Sequence, residues 1–447
     1  MTALVLCILA FGVTYWAGKR SLGIGIVALL TFGYFYGIVR ANLPTAASHF
    51  IFDVALLGLY LSQKWMQSGN PNRSSTLRAW LLLLMLWPAL LVLMPFQPLL
   101  VSLVGLRGAV FFLPMALLGS RLRGKDLYQV SLGLAALNLV ALGFAGAEYF
   151  RGIAEFYPFN AVTQIIYISG DVAGGFFRIP AIFSSAHAYG GMMVYSIPYL
   201  IGAWDQAKNP MVRLFAVLGT AAALLGVLMS ATRLNFVVGA VLVLVAIWNG
   251  HMKISQRAVF ALLIAVLAIV AMRNERFQRF KSLSDSEAVE ERISGSVNRG
   301  FFEILLEYPL GNGLGGGGTS IPYFLQGQVR NPIGMENEYA RILAEQGIVG
   351  LVLWLGFIGW FLSRCRTVFA KGPWAASRRM IWGLSITGLI TGLIGTGMLT
   401  AIPETAVMLL GIGFIATPMT SEAAESRPAG IRQAMFPQRP YRPVPAR

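Results

Sequence analysis

The amino-acid sequence predicts an all-α, polytopic membrane protein with about thirteen transmembrane helices, and three observations support this class. Hydrophobic residues occupy 56% of the 447 positions and charged residues only 12%, which is about half the charged share of a soluble protein. Apolar runs such as 224–248 and 347–362 approach or exceed the length that crosses a bilayer as a helix. Basic residues, in addition, recur in every second connection between the apolar segments.

The predicted transmembrane segments follow from hydropathy along the chain. They lie at approximately residues 3–17, 21–39, 48–62, 79–95, 98–118, 127–145, 187–204, 212–230, 233–249, 257–272, 340–362, 380–398 and 402–417. This order divides the chain into N-terminal transmembrane helices at 1–145, a first outer loop with central helices at 146–272, an extracytoplasmic loop at 273–339, C-terminal transmembrane helices at 340–417 and a tail at 418–447.

The basic residues set the predicted orientation. Lys19 and Arg20, Arg121 and Arg123, and a basic run between 364 and 379 fall in alternate connections, which predicts that these connections are cytoplasmic. The arginine- and proline-rich tail lies on the same side and is predicted to be disordered. We attribute the net charge of +16 to this topology and to attraction by membrane lipids. No basic stripe with interleaved aromatic residues indicates a nucleic acid partner.

Two connections on the predicted outer side are long. Residues 146–186 are rich in aromatic side chains, which would either stack on sugar rings or form an interfacial belt. Residues 273–339 are polar, and apolar residues spaced three to four apart between 285 and 308 predict an amphipathic helix on the membrane surface. Asp285 and Glu287 within it are interpreted as a solvated, ion-paired face, and no metal site is predicted.

The glycine run that follows this helix, PLGNGLGGGGTS at 309–320, comes within one residue of a phosphate-binding loop. Such a loop needs a preceding strand, a following helix and a lysine, none of which is predicted here, so a nucleotide site is excluded. We interpret the run instead as a loop hinge, because glycine permits close approach to a bulky ligand and movement between steps. The hinge residues are Gly313, Gly315, Gly316, Gly317 and Gly318.

Three arginines, Arg178, Arg233 and Arg299, fall on the predicted outer side although the chain keeps its other basic residues mainly inside. A single such arginine is commonly one that extends to the lipid headgroups. Three of them suggest an anionic ligand, because guanidinium binds phosphate in a bidentate manner and does not lose its charge.

Glu336 and Asn337 lie in the sequence MENEY, directly before a predicted transmembrane segment. They would either cap that helix or, for Glu336, supply a general base, because partial desolvation raises the pKa of a carboxyl toward neutrality. His187 in SSAHAYGG either lines the same site or caps a helix.

The order of these motifs resembles the bacterial O-antigen ligase and Wzy-type polysaccharide polymerase family. The matching elements are SATR before an apolar helix, an arginine after a long outer loop, PLGNGLG, a polar pair with Tyr339, and ILAEQGIVG, and they cover about residues 175–365. In ligases of that family a histidine commonly stands where this chain has Glu336. A carboxylate at this position is more similar to the pattern of exopolysaccharide and capsule polymerases.

The resemblance implies a GT-C-like fold in the bacterial inner membrane, with the active site facing the periplasm and the C-terminus in the cytoplasm. It implies an undecaprenyl-pyrophosphate-linked oligosaccharide as substrate, no cofactor, and allows for a chain-length regulator protein as partner. Arg233 and Arg299 would stabilise the leaving pyrophosphate and Glu336 would accept the hydroxyl proton. Arg178, His187, Asn337 and Tyr339 would contact substrate.

Three functions therefore remain open from the sequence. The first is a polymerase that transfers the glycan to another lipid-linked repeat unit, and the second is a ligase that transfers it to lipid A core or a protein. The third is a transporter or flippase for the same lipid-linked sugars, although such proteins usually show repeats and broken helices near the membrane midplane.

Overall fold

The fold is entirely helical over the residues that the computed structural model describes, which confirms the predicted all-α class for this part of the chain. These are residues 1–63, 75–168, 177–248, 301–317, 321–335, 337–370, 372–395 and 397–417, with helical positions at 257, 258, 261, 262, 265, 266 and 269. Of the predicted site residues, Arg299, Gly318 and Glu336 lie outside these ranges, as does most of the predicted amphipathic helix, including Asp285 and Glu287.

The N-terminal half contains nine described α-helices. They are α1 (Thr2–Arg20), α2 (Leu22–Tyr34), α3 (Tyr36–Asn42), α4 (Ile51–Ser62), α5 (Ser75–Leu91), α6 (Leu99–Val110), α7 (Pro114–Gly119), α8 (Gly124–Arg151) and α9 (Gln164–Ile168). Short 3-10 turns at Ala46–Phe50 and Ile153–Glu155 lie between them.

The C-terminal half contributes eight further α-helices with described bounds. They are α10 (Ala186–Gln206), α11 (Pro210–Met229), α12 (Arg233–Trp248), α13 (Phe301–Glu307), α14 (Glu338–Leu362), α15 (Cys365–Val368), α16 (Ala375–Thr391) and α17 (Glu404–Ala416). A 3-10 turn at Tyr323–Gln328 precedes α14.

Five stretches in the described part of the chain are long and apolar enough to cross a membrane: Thr2–Arg20, Leu99–Gly119, Gly124–Arg151, Pro210–Met229 and Glu338–Val368. A sixth results if α2 and α3, which are bent by 41° relative to each other, form one span. Several other apolar helices are shorter than a full crossing. The predicted number of about thirteen crossings and the GT-C-like arrangement stay predictions.

Small residues allow the N-terminal helices to pack closely, as is common in membranes. A Cβ at Gly58 of α4 would lie 2.5 Å from the carbonyl oxygen of Phe11 in α1. Beside it, the Thr14 hydroxyl donates a hydrogen bond across the interface to the Ala55 carbonyl oxygen, at 2.7 Å. These contacts fix α1 against α4.

Helix α10 is the central element of the fold, because every residue from Ala188 to Trp204 is buried. Helices α8, α11, α12, α16 and α17 contact it. Polar contacts set the register of this packing: Asn138 of α8 donates to the Ser196 hydroxyl of α10 at 2.8 Å and accepts from the Tyr34 hydroxyl of α2 at 2.7 Å. These bonds fix the position of α10 relative to α2 and α8, and the predicted site residue His187 lies at the start of α10.

Candidate functional site

The glycine stretch forms a buried turn over residues 311–317. Gly311, Gly313 and Gly315 have φ angles of +88°, +87° and +82°, a region that residues with a Cβ rarely adopt. The backbone conformation of the turn therefore favours glycine at these three positions. The Gly316 amide closes the turn by donating to the Gly313 carbonyl oxygen at 2.9 Å.

This turn packs against a break in α14. Gly347 has φ +68° and ψ −168°, and a Cβ there would lie 2.5 Å from the Leu310 carbonyl carbon. Backbone hydrogen bonds join the two segments, from the Asn312 amide to the Ala344 carbonyl at 2.6 Å and from the Ile348 amide to the Pro309 carbonyl at 2.9 Å. The motifs PLGNGLG and ILAEQGIVG are thus one packed unit.

The N-terminal half holds the other side of the same turn. A Cβ at Gly105 of α6 would lie 2.4 Å from the Gly315 nitrogen, so the turn rests directly on the α6 backbone. Gln97 donates through Nε2 to the carbonyl oxygens of Asn312 and Arg330, each at 2.9 Å. The turn is therefore enclosed on two sides. The predicted hinge function of Gly313 and Gly315 to Gly318 stays a prediction.

A buried charge cluster occupies the first two turns of α14. Arg341 is 2% exposed and its Nη1 donates to Glu345 Oε2 at 2.8 Å, while its Nε donates to Glu338 Oε1 at 3.1 Å. The spacing of three and four residues places the two carboxylates on either side of the guanidinium. The cluster lies directly beside the predicted site segment.

The predicted substrate-binding residues of this segment have identifiable contacts. Asn337 caps α14, since its Oδ1 accepts from the amides of Tyr339 at 2.8 Å and Ala340 at 3.2 Å. The Tyr339 hydroxyl donates to the Leu389 carbonyl oxygen at 2.7 Å, which ties α14 to α16. Both side chains therefore position the start of α14, and their predicted contact with substrate stays a prediction.

Arg178 and His187 lie together, and their predicted contact with substrate stays a prediction. Arg178 Nη1 is 2.8 Å from His187 Nε2, and the Arg178 Nε is buried without a hydrogen-bond partner. Ser185, rather than His187, caps α10 by accepting from the Ala188 amide at 3.2 Å. The cap and the imidazole–guanidinium contact are therefore separate features of this helix start.

Arg233 begins α12 directly after a tight turn. Ala231 in this turn has φ +50°, and the Ser230 and Thr232 hydroxyls are 2.8 Å apart. Thr232 Oγ1 lies 2.4 Å from the position of a Cβ on Gly190, so the SATR motif packs against α10 one turn beyond His187. Strained backbone of this kind recurs at ligand-binding sites.

A cavity of about 450 Å³ lies where several predicted outer connections meet. Its walls come from α3, from the 3-10 turn at Ala46–Phe50, from α6, from the 157–166 segment, from the two serines directly before α10 and from the 321–326 and 397–402 segments. Burial raises the pKa of the Tyr157 hydroxyl well above its ordinary value. It therefore stays protonated and donates to the Ala181 and Phe183 carbonyls at 2.8 and 2.7 Å, which fixes the wall leading to α10.

The cationic residues of this cavity, Arg40 and Arg107, were not among the residues predicted from the sequence. Arg107 Nη2 forms an ion pair of 2.6 Å with the buried Asp53. Arg40 is half-buried, its guanidinium lies over the Tyr36 ring at 4.9 Å and its Nε is buried without a partner. Arg107 and Asp53 both occur inside predicted transmembrane segments, and charge at such positions was the signal that could have identified them.

The cavity adjoins the N-terminal end of α14, called here the head of α14. Gly397 lines the cavity, and its amide donates to Glu338 Oε2 at 2.7 Å. His49 in the opposite wall stacks at an angle on Tyr323 and Phe324, with ring centroids 5.7 and 5.5 Å away. Among the described residues, no three histidine, cysteine, aspartate or glutamate side chains converge into a metal-binding group.

Comparison with known proteins links this arrangement to one family. Residues 185–355 match the family model described as O-antigen ligase. No curated protein matches the chain. The matched segment contains α10, the SATR turn, the glycine turn and the head of α14, which are the elements whose packing is described above. Over this segment the chain is similar to the O-antigen ligase family model, which agrees with the resemblance that the order of the motifs indicates.

Proposed function

We propose that this protein is a polysaccharide polymerase that transfers a glycan from undecaprenyl pyrophosphate to a hydroxyl of another lipid-linked repeat unit. The family match supports glycan transfer of the ligase or polymerase type. The observation that carries the proposal is the cation-lined cavity formed by the predicted outer connections next to the head of α14. Its position agrees with a lipid-linked substrate that presents its sugars outside the membrane.

In the proposed reaction an acceptor hydroxyl oxygen attacks the anomeric carbon of the donor sugar. The bond from that carbon to the pyrophosphate oxygen breaks, and the pyrophosphate leaves with the electron pair. Arg233 and Arg299, with Arg178, would stabilise this developing charge. Glu336 would take the hydroxyl proton. Direct displacement predicts inversion at the anomeric carbon.

A ligase is the second candidate, because the family model that matches the chain is described as O-antigen ligase. Glu336, at the position where ligases commonly carry histidine, favours the polymerase. A flippase would move the substrate across the membrane without forming a glycosidic bond. Polymerase, ligase and flippase can therefore be distinguished by what they leave at the end of the assay.

The test uses purified protein in proteoliposomes with a lipid-linked repeat unit, analysed on a gel. A polymerase produces a ladder of chain lengths. A single transfer only after addition of lipid A core or an acceptor protein would identify a ligase, and unchanged substrate in both assays would contradict glycan transfer.

The residue roles are tested in the same assay. Glu336→Gln is expected to lower the rate about 10²–10⁴-fold through loss of the base, and Arg233→Gln about 10²–10³-fold through loss of charge stabilisation. Arg151→Gln is the matched control, because Arg151 is exposed and pairs with Glu155 at the surface. Full activity in either site variant would contradict the assigned role.

A further inference from the structure

The charges in the cavity wall indicate what kind of sugar it accepts. Arg40 and Arg107 contribute two positive charges, while Asp53 cancels one of them through its ion pair with Arg107. No acidic side chain among the described residues lines the cavity itself. With histidine counted as neutral, the described walls therefore hold one net positive charge.

The uncompensated positive charge of the wall is that of Arg40. It forms no ion pair with the described carboxylates, and its buried Nε has no hydrogen-bond partner. An unpaired buried donor of this type is costly unless a ligand binds it. Arg107 is paired with Asp53. Arg40 contacts the Tyr36 ring but has no carboxylate partner among the described residues, so its charge is available to an anionic ligand.

The rest of the lining is suited to a sugar ring. Tyr323 contributes an aromatic ring that is 36% exposed, and Ser184 contributes a hydroxyl group to the wall. A volume of about 450 Å³ falls in the range of small-molecule sites. An exposed aromatic ring, a hydroxyl group and one uncompensated cation together match a sugar that carries a single negative charge.

We propose that this cavity is a subsite for a monoanionic sugar, such as a uronic acid, with Arg40 bound to its carboxylate. The site is built largely from residues 36–166, outside the segment that matches the family model. From the proposed function the inference takes only that the ligand is a glycan. A pyrophosphate, with at least two negative charges, would leave charge uncompensated here and belongs with the arginines assigned to catalysis.

The test measures binding to the full chain in lipid nanodiscs by saturation-transfer NMR titration. The probes are a disaccharide of galacturonic acid and galactose, which carries one carboxylate, and the matched neutral galactose disaccharide. Inorganic pyrophosphate, which has no protons to observe, is added as a competitor. The acidic disaccharide is expected to bind at least tenfold more tightly than the neutral one, because one charge-assisted contact is worth that factor. Equal binding of the two disaccharides, or displacement of the acidic disaccharide by an equimolar concentration of pyrophosphate, would overturn the proposal.

Two variants test the charge balance. Arg40→Gln is expected to remove the tenfold preference, while the exposed control Arg151→Gln retains it. Asp53→Asn raises the net charge of the wall by one and is expected to shift the preference toward pyrophosphate. Thermal unfolding establishes that each variant is folded, and if Asp53→Asn unfolds, the result for Arg40→Gln alone decides. Retention of the preference in folded Arg40→Gln overturns the proposal.

The polymerisation assay separates this inference from the proposed function. Discrimination between the disaccharides without ladder formation would leave the subsite in place and contradict the polymerase. A ladder without discrimination would contradict only the subsite.

Discussion

Arg341 is the one cation that the described structure places between Glu338 and Glu345, and all three side chains are buried. Replacement by leucine would leave two carboxylates in a low-dielectric environment without compensation. Removal of one partner from a buried ion pair costs about 3–5 kcal/mol.

We therefore expect Arg341→Leu to lower the free energy of unfolding by about that amount, measured by chemical denaturation in detergent. Arg151→Leu, at an exposed ion pair, should change it by less than about 1 kcal/mol. Equal effects of the two substitutions would show that burial of the cluster does not matter.

Gly347 provides a second prediction at the residue scale. Its backbone angles are accessible essentially only to glycine, and a Cβ would collide with Leu310. Gly347→Ala is expected to reduce both the yield of folded protein and glycan transfer. Gly359→Ala is the control in the same helix, since a Cβ there meets nothing within 4 Å. Its expected effect is neutral or stabilising by up to about 1 kcal/mol.

At the scale of elements, the glycine turn joins α6 to α14. A methyl group at Gly105 would force the turn away from α6, because its backbone leaves no space. We expect Gly105→Ala to destabilise the protein by about 1–3 kcal/mol, as overpacking does, whereas Gly12→Ala in α1 should be tolerated because its surroundings are open. Unfolding temperatures of both variants check this, and a wild-type value for Gly105→Ala would contradict the close packing.

An experiment can distinguish whether this turn moves as a hinge or is held rigid by its packing. Gly316→Pro removes the amide that donates to the Gly313 carbonyl. If the turn is fixed by packing, we expect turnover and unfolding temperature to fall together. A fall in turnover at an unchanged unfolding temperature would instead support the predicted hinge.

The sequence predicts the helices well because hydropathy is a local property. Helix α11 spans Pro210–Met229 and α14 spans Glu338–Leu362, close to the predicted 212–230 and 340–362. The Glu338–Arg341–Glu345 cluster could also have been predicted, since the three residues are spaced three and four apart on one helix.

The cavity could not be predicted in this way. Arg40, Thr163, Tyr323 and Gly397 line it from segments that are far apart in the chain, and no periodic pattern relates them. The arginines that the sequence predicts for the site are identified by their departure from the positive-inside pattern. Arg107 lies within an apolar helix and not in an outer loop, so that criterion does not identify it. Its charge inside a predicted transmembrane segment is the feature that indicates a function.

At the scale of the whole molecule, the predicted orientation has a direct test. Phe159 is 72% exposed in a predicted periplasmic connection, and Lys208 is exposed in a predicted cytoplasmic one. In a background with Cys7 and Cys365 replaced by alanine, Phe159→Cys should react with an impermeant maleimide in spheroplasts with intact inner membranes. Lys208→Cys should react only after these are permeabilised. The reverse pattern would contradict the orientation that the basic residues predict.

The contact of the glycine turn with Gly105 and Gln97 has a consequence for how the protein can be divided. Trp87 Nε1 also donates to the Gln346 carbonyl oxygen at 2.8 Å, so residues 87–105 supply bonds and a packing surface to motifs in the matched segment. Residues 185–355 are therefore not a portable module. Transplanted alone onto another membrane protein, they would expose the glycine turn and leave backbone groups unsatisfied, so a chimera that carries this segment should also carry α5 and α6 of this chain.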